Sequence, residues 1–208
     1  MMCGALRPHA TAPNDPSRAL RMAMASQVRT DWTVAELQQL PDDGNRYELI
    51  DGVLFVTPAP RAVHQVVLGE LYFLLKPYCK AAGLFVVLSP ADVTFADDTL
   101  VQPDLFAFPA PPNFTGFSYT DIAHLDVAIE VLSPSTARVD RSIKRRLYQA
   151  QGVDEYWIVY ADTRSVERWR PDAVEGERIT GTLLWQPRPA HAALTIDLPA
   201  LFREAMGE

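Results

Sequence analysis

Three residues far apart in the chain have types suited to chemistry on a phosphodiester: Asp104, Glu130 and Lys144. Asp104 follows Gln102-Pro103 and leads an apolar stretch, and Glu130 sits inside Ala128-Ile-Glu-Val-Leu132. Strand alternation puts Asp126, Ala128, Glu130 and Leu132 on one face. A carboxylate among such neighbours is costly to desolvate unless something positive compensates it. The plainer alternative is a glutamate that reaches a strand end or pairs with an arginine. In the helix expected after Glu130, Val139, Ile143, Leu147 and Ala150 form the buried stripe, and Asp140, Lys144 and Tyr148 form the adjoining one. Lys144 can therefore lean over the sheet toward Glu130. Alternatively it makes a surface pair with Asp140, on the order of tenths of a kcal/mol.

Two or three carboxylates and an ammonium around a hard cation suit phosphodiester hydrolysis. Mg²⁺ takes oxygen ligands and keeps several waters. A bound metal acidifies water and neutralises charge growing on the phosphate, and a nearby lysine orients the attacking water or stabilises the transition state. Other residues stand near this set. Glu48, between Tyr47 and Leu49, either points at the same site or faces water. His64 lies on the apolar side of its helix with Val67, Leu68 and Leu71 and reads as a satisfied core residue. Arg138, Arg141, Lys144, Arg145 and Arg146 make one helix the most basic stretch of an acidic chain. That stretch is either a phosphate-facing surface or a solvated helix face.

The elements that must position these groups are legible in outline. Thr33-Val-Ala-Glu36 is a capping box that starts a short helix ending before Pro41. Arg46–Ile50 and Val53–Val56, joined by Asp51-Gly52, carry a hairpin signal. Helical spacing runs from Ala62 to about Ala82, with Val63, Val67, Leu71, Leu74, Leu75 and Tyr78 as one apolar stripe. Pro77 is expected to kink or shorten this helix, and Gly83 to cap it. Strands are expected at Leu84–Leu88, Asp92–Phe95, Val101–Phe108 and Ile129–Leu132, with a loop over 109–120 between the last two. Ser133-Pro-Ser135 then opens a helix over about 135–151, closed by Gly152. Tyr156–Tyr160 pairs with Ser165–Arg170, and short strands near 181–186 and 193–197 close the sheet. This order predicts an α/β (α+β) domain around one central sheet.

With 208 residues, the chain is long enough for one domain with a real core, and its composition is that of a globular protein. Its net charge of -7 gives no global attraction to nucleic acid, so any phosphate binding must be local. The two cysteines, Cys3 and Cys79, have no zinc spacing and fit a reducing compartment. No apolar run approaches membrane-spanning length. Residues 1–29 read as a flexible leader rather than a signal peptide, and residues 30–208 as a single domain.

Several short motifs occur in one order: Tyr47-Glu-Leu-Ile-Asp-Gly52, Pro58-x-Pro60 followed by His64, Gln102-Pro-Asp104, Glu130-Val-Leu-Ser-Pro-Ser135, Lys144 with Tyr148, and Gly152-Val-Asp-Glu-Tyr-Trp157. Each is weak alone. As an ordered set over about residues 31–203 they resemble the Uma-two family of restriction endonucleases, within the PD-(D/E)xK nuclease superfamily. The resemblance implies a restriction-endonuclease-like mixed sheet flanked by helices. It implies Asp104 and Glu130 as metal carboxylates, with the main-chain carbonyl of Val131 facing the same ion and Glu48 as the acidic residue of the first hairpin. The superfamily's lysine usually stands two residues after the glutamate, where this chain has Leu132. Lys144 takes that role in the likeness, as a lysine migrated to the following helix. The family often has Asp after Tyr-Trp-x-Val, where this chain has Tyr160, which reads as a strand-end residue.

The leading expectation is a cytoplasmic endonuclease that uses Mg²⁺ or Mn²⁺ to hydrolyse DNA. Asp104, Glu130, Glu48 and Lys144 form its centre, Arg138, Arg141 and Arg145 contact phosphates, and His64 and Tyr148 are neighbours. A homodimer is left open. The rival expectation is an inactive nuclease-like module that binds nucleic acid or a protein partner. A third is an oligomeric scaffold with Trp157, Trp169 and Trp185 at an interface. Fold likeness alone supplies no substrate.

Overall fold

A computed structural model describes residues 29–57, 62–109, 122, 124–133 and 136–208. The leader lies outside the described residues except for Arg29, and so do the Pro58-x-Pro60 motif, residues 110–120 of the loop expected over 109–120, and Pro134 and Ser135 of the expected helix opening.

The chain opens with α1 (Val34–Leu37), one turn held by the expected capping box: Thr33 Oγ1 accepts from Glu36 N–H, and Glu36 accepts from Thr33 N–H. Next comes the antiparallel hairpin β1 (Arg46–Ile50) and β2 (Val53–Thr57). Its two turn residues, Asp51 and Gly52, have φ of 50° and 73°, the left-handed pair that matches strand twist. Strands β4 (Val93–Ala96) and β5 (Thr99–Val101) extend the hairpin into a four-stranded sheet in the order β2-β1-β5-β4.

The main sheet has six strands. Beside β3 (Leu84–Leu88) run β6 (Leu105–Pro109), β7 (Val127–Val131), β8 (Tyr156–Tyr160), β9 (Ser165–Trp169) and β10 (Glu177–Ile179), in the order β10-β9-β8-β7-β6-β3. Only β7 and β8 are parallel neighbours. Their connection is the helical crossover such pairing requires.

One face of this sheet packs on α2 (Ala62–Ala81) and α4 (Leu198–Met206). Val127, Ile129, Val131, Trp157 and Val159 meet Val67, Leu71, Leu75 and Phe202 there. The other face packs on α3 (Arg145–Ala150) and the π-helical stretch Val139–Lys144 that leads into it. Trp157 and Trp185 are buried in the core, which removes them from any interface, while Trp169 is half-buried.

Several expectations need correction. The strand expected over Val101–Phe108 is two strands in different sheets. Pro103 has no N–H to continue a ladder, and the chain crosses from one sheet to the other at Gln102–Asp104. Pro77 does not shorten α2, which continues to Ala81. On α2, Val63 is exposed and Leu74 and Tyr78 are half-buried, while His64, Leu68 and Cys79 are buried instead. Strands β11 (Thr182–Trp185) and β12 (Leu194–Asp197) do not close the main sheet but form their own ribbon. Strand β10 and helix α4 have no counterpart in the sequence reading, although α4 carries clear signals. Asp197 caps it by accepting from Ala200 N–H, Pro199 stands in its first turn, and Gly207 ends it in the left-handed region.

Candidate active site

The site lies where the two sheets meet the crossover helix. On β1, Leu49 packs into the small cluster with Leu37 and Leu100, so alternation turns Glu48 and Ile50 toward the crossover-helix side. The bend after β5 delivers Asp104 next to the end of β7, where Val131 N–H donates to Asp104 Oδ2 at 2.9 Å. Glu130 points to the face opposite Ile129 and Val131, beneath the π-helical stretch.

Lys144 completes the cluster. Its Nζ lies 2.8 Å from Glu130 Oε1, 2.8 Å from Glu48 Oε1 and 3.9 Å from Asp140 Oδ1. Glu48 Oε1 also accepts from Gln102 N–H at 2.7 Å, and Tyr148 Oη donates to Glu130 Oε1 at 3.3 Å. Glu48, Asp104, Glu130, Asp140 and Lys144 are each at most 3% exposed. The Asp140–Lys144 pair is therefore no surface pair. The stripe Asp140-Lys144-Tyr148 is buried, whereas Val139 and Ile143 are half-buried and Ala150 is exposed. The buried stripe was expected to be the aliphatic one. The charged stripe is tolerated inside because its charges neutralise one another. The wider π-helical turns belong to the same segment, and Tyr156 Oη donates to the Asp140 carbonyl at 3.1 Å.

Two residues around Asp104 change the sequence picture. His64, read as a core residue and as a neighbour of the site, holds Asp104 Oδ2 through Nε2 at 2.8 Å. Arg46, which the sequence reading passed over, donates from Nη1 to Asp104 Oδ1 at 2.7 Å and from Nη2 to the Gln102 carbonyl. An arginine opening a hairpin strand looks like a solvent-facing residue, and nothing local marks it as an ion-pair partner 58 positions away from Asp104.

The electrostatics follow from this packing. Burial raises the Asp104 carboxyl, but the His64 hydrogen bond and the charges of His64, Arg46 and Lys144 outweigh it and hold Asp104 well below the usual range. Burial disfavours the Lys144 ammonium, yet Glu130, Glu48 and Asp140 keep it firmly protonated. Burial also pushes Glu130 well up, opposed by Lys144 and reinforced by Asp104, Asp140 and Glu48. Asp140 rises to about 6, mainly by burial. The carboxyl groups of Glu48, Asp104, Glu130 and Asp140 outnumber the permanent cations Arg46 and Lys144.

That imbalance, with oxygen donors from two strands, suits an added hard cation. Two buried polar atoms of the cluster, Arg46 Nε and His64 Nδ1, have no hydrogen-bond partner among the described residues. A cavity of about 390 Å³, lined among others by His64, Val131, Ser133 and Arg141, reaches the cluster through His64 and Val131, which both bond Asp104; Glu48, Asp104, Glu130, Asp140 and Lys144 are not among its lining residues. Of the expected phosphate contacts, Arg141 lines that cavity, Arg138 is exposed, and Arg145 lies over Trp169. Among the described residues, His124, Asp126 and Asp154 also lie close enough to share an ion. They sit at the opposite end of β7, where Asp126 is engaged by Arg188 and His124 by Asp154.

No curated protein matches the sequence. The fold is similar to the crystal structure described as a putative nuclease belonging to DUF820 from Anabaena variabilis ATCC 29413. That match has a TM-score of 0.68 and 23% identity, over 84% of this chain and 99% of the other. The model of the Uma2 family, described as "Putative restriction endonuclease", matches residues 34–203. That span takes in the whole acidic cluster, both helices behind it and both sheets, and the chain belongs to the Uma2 family.

Proposed function

We propose that the protein is a divalent-metal-dependent endonuclease that hydrolyses DNA phosphodiester bonds. One observation supports this most: the Lys144 ammonium lies 2.8 Å from Glu130 Oε1, on a β7 strand whose next N–H is bonded to Asp104. Two acids and a charged amine thus converge at the end of β7. Asp104, Glu130 and the Val131 carbonyl would hold Mg²⁺ or Mn²⁺, assisted by Glu48. When bound, the cation supplies Lewis acidity toward water and phosphate. Arg46 and His64 keep Asp104 ionised and fixed. Glu48 and Asp140 hold Lys144 charged, and Lys144 orients the attacking water and offsets negative charge on the phosphate. Tyr148 fixes the Glu130 carboxylate.

The test is incubation of purified protein with plasmid and linear DNA, with Mg²⁺ or Mn²⁺, beside Asp104→Ala and Lys144→Ala. Loss of cleavage in both variants is expected. Variants that cut as well as wild type would assign the cleavage to another site or a contaminant. A cytoplasmic location and a homodimer belong to the same proposal, and cell fractionation and light scattering check them. Among the described residues no helix is long and apolar enough to cross a membrane.

One observation favours the rival, a non-catalytic module. Both Asp104 oxygens are already engaged, Oδ1 by Arg46 and Oδ2 by His64 and Val131 N–H. Calorimetry with Mn²⁺ separates the two readings, because absence of binding near neutral pH leaves only the module.

A further inference from the structure

The arginines among the described residues fall into two groups. Arg29, Arg46, Arg164, Arg168, Arg170 and Arg188 each have a carboxylate within ion-pair distance. Arg138, Arg141, Arg145, Arg146, Arg178 and Arg203 have none among the described residues. All of the second group except Arg203 and Arg178 stand on the crossover helix. Arg178 comes from β10, yet it meets the helix arginines on the same face of the sheet.

The meeting point is aromatic. Arg141 lies 5.0 Å and Arg178 5.2 Å from the Tyr160 ring centroid. Arg145 lies 4.6 Å from the Trp169 ring centroid. Glu167 ties the two rings together: Tyr160 Oη donates to its Oε2 and Trp169 Nε1 to its Oε1, each at 2.7 Å. Both oxygens of this carboxylate are thus committed to neutral donors. Its charge lies at the edges of the two rings, and although Arg178 stands opposite Glu167 in the β10–β9 register, no guanidinium among the described residues comes within ion-pair distance of it. Gly176 lets the backbone lie against this pair, since a Cβ there would stand 2.7 Å from Glu167 Cγ and from Trp169 Cε2. Further bonds fix the guanidinium groups: Arg141 Nε donates to Tyr160 Oη at 3.2 Å, Arg145 Nη1 to Gln149 at 2.8 Å, and Arg178 Nη2 to Thr163 at 2.8 Å.

Stacking on aromatic faces lowers the entropy lost when an arginine binds an anion and leaves donors for a bidentate contact. Unpaired, preorganised guanidiniums in a row are a device for a phosphate backbone. Arg141 also lines the cavity of about 390 Å³, together with Ala161 and Asp162. The row therefore begins at the cavity that His64 and Val131 join to the candidate active site and runs across β8 and β9 to the edge strand β10.

We infer that Arg141, Arg145 and Arg178, seated on Tyr160 and Trp169, form a track for the phosphate backbone of a DNA strand leaving the site. Tyr160, which reads in the sequence as a strand-end residue, is the seat shared by arginines from the helix and from the edge strand. Arg178 is a binding residue that the basic-helix pattern does not contain. This inference rests on the nuclease reading for its partner, but it concerns binding and is tested without cleavage.

The experiment measures binding of a labelled single strand and its duplex by fluorescence polarisation, in EDTA, from about 50 to 200 mM salt. The Arg145→Gln/Arg178→Gln double variant is compared with wild type and with Arg203→Gln, an unpaired arginine on α4. The double variant is expected to bind at least about tenfold more weakly, with its log–log salt slope reduced by about 2. Arg203→Gln is expected to match wild type. Equal affinity of the double variant and wild type, an equal loss in Arg203→Gln, or no DNA binding by wild type each overturns the track. Arginine-dependent binding by a protein that never cuts DNA sinks the nuclease reading and leaves the track standing. Cleavage with affinity unchanged in the double variant does the reverse. Melting curves of the double variant matching wild type exclude misfolding as the cause.

Discussion

Lys144 and Glu48 join the two sheets of this protein: Nζ lies 2.8 Å from Oε1, although Glu48 belongs to the four-stranded sheet and Lys144 to the helix covering the six-stranded one. The same amine reaches Glu130 on the central strand β7. A single side chain thus balances carboxylates from both sheets.

The first prediction follows from that burial. Lys144→Met leaves Glu48, Glu130 and Asp140 inside without their shared cation. Removing one partner of a buried ion pair costs roughly 3–5 kcal/mol. Urea unfolding of the variant at neutral pH is expected to show a loss of that size. A loss under about 1 kcal/mol would mean that the carboxylates are compensated in another way.

The turn between β1 and β2 gives an opposed pair of glycine substitutions. Gly52 has φ of 73°, and a Cβ there would lie 2.3 Å from the Thr30 carbonyl oxygen. Gly69 sits inside α2, exposed, with nothing within 4 Å of a built Cβ. Gly52→Ala is therefore expected to destabilise by more than about 1 kcal/mol, and Gly69→Ala to stabilise by roughly 0.5–1 kcal/mol. Thermal melts of the two variants check the signs: a stable Gly52→Ala would contradict the turn geometry, and a destabilised Gly69→Ala the open space on α2.

The parts of the fold legible in the sequence are those fixed by local chemistry. Asp51-Gly52 specifies a hairpin, Thr33 and Glu36 specify a helix start, and the Ala128–Leu132 pattern marks a buried strand with a misfit acid. What was not legible depends on distance along the chain. Arg46 and His64 gain their meaning only from Asp104, and Arg178 only from Tyr160. The split at Gln102–Asp104 turns one apparent strand into a bridge between sheets, and Pro103 was its local sign. The π-helical stretch has no sequence signature, because its inward charges are stable only against carboxylates contributed by other elements. Helix α4 belongs with the locally legible elements, since Asp197, Pro199 and Gly207 mark its ends.

Cys79 is a buried thiol on the core face of α2, and burial pushes it up to about 12, with the Asp126 charge adding to the effect. A raised thiol value means less thiolate, and the thiolate is the reacting form. At pH about 8 its reactive fraction falls to roughly one in ten thousand. In a Cys3→Ser protein, a thiol reagent is expected to label nothing in the native state and one thiol after unfolding in denaturant. Stoichiometric labelling of the native variant within seconds would place Cys79 at an accessible surface.

Asp140 makes stability depend on pH in a direction that can be fixed in advance. Its carboxyl rises from 3.8 to about 6 in the folded protein, chiefly by burial, with Lys144 and a Thr136 hydrogen bond opposing. The folded state therefore binds this proton more tightly than the unfolded chain does. The resulting stabilisation is complete below about pH 4 and is lost as pH rises through about 6. At neutral pH the ionised group weighs against folding by up to roughly 3 kcal/mol, about two pKa units. Asp140→Asn keeps an acceptor for Thr136 and removes the titration. Its stability relative to wild type is expected to improve between pH about 4 and 7 by an amount approaching that figure, measured by denaturant unfolding in EDTA. A difference that stays flat across this window, or that runs the other way, would show that Lys144 holds Asp140 ionised throughout and that the acid excess of the site resides in Glu130 instead.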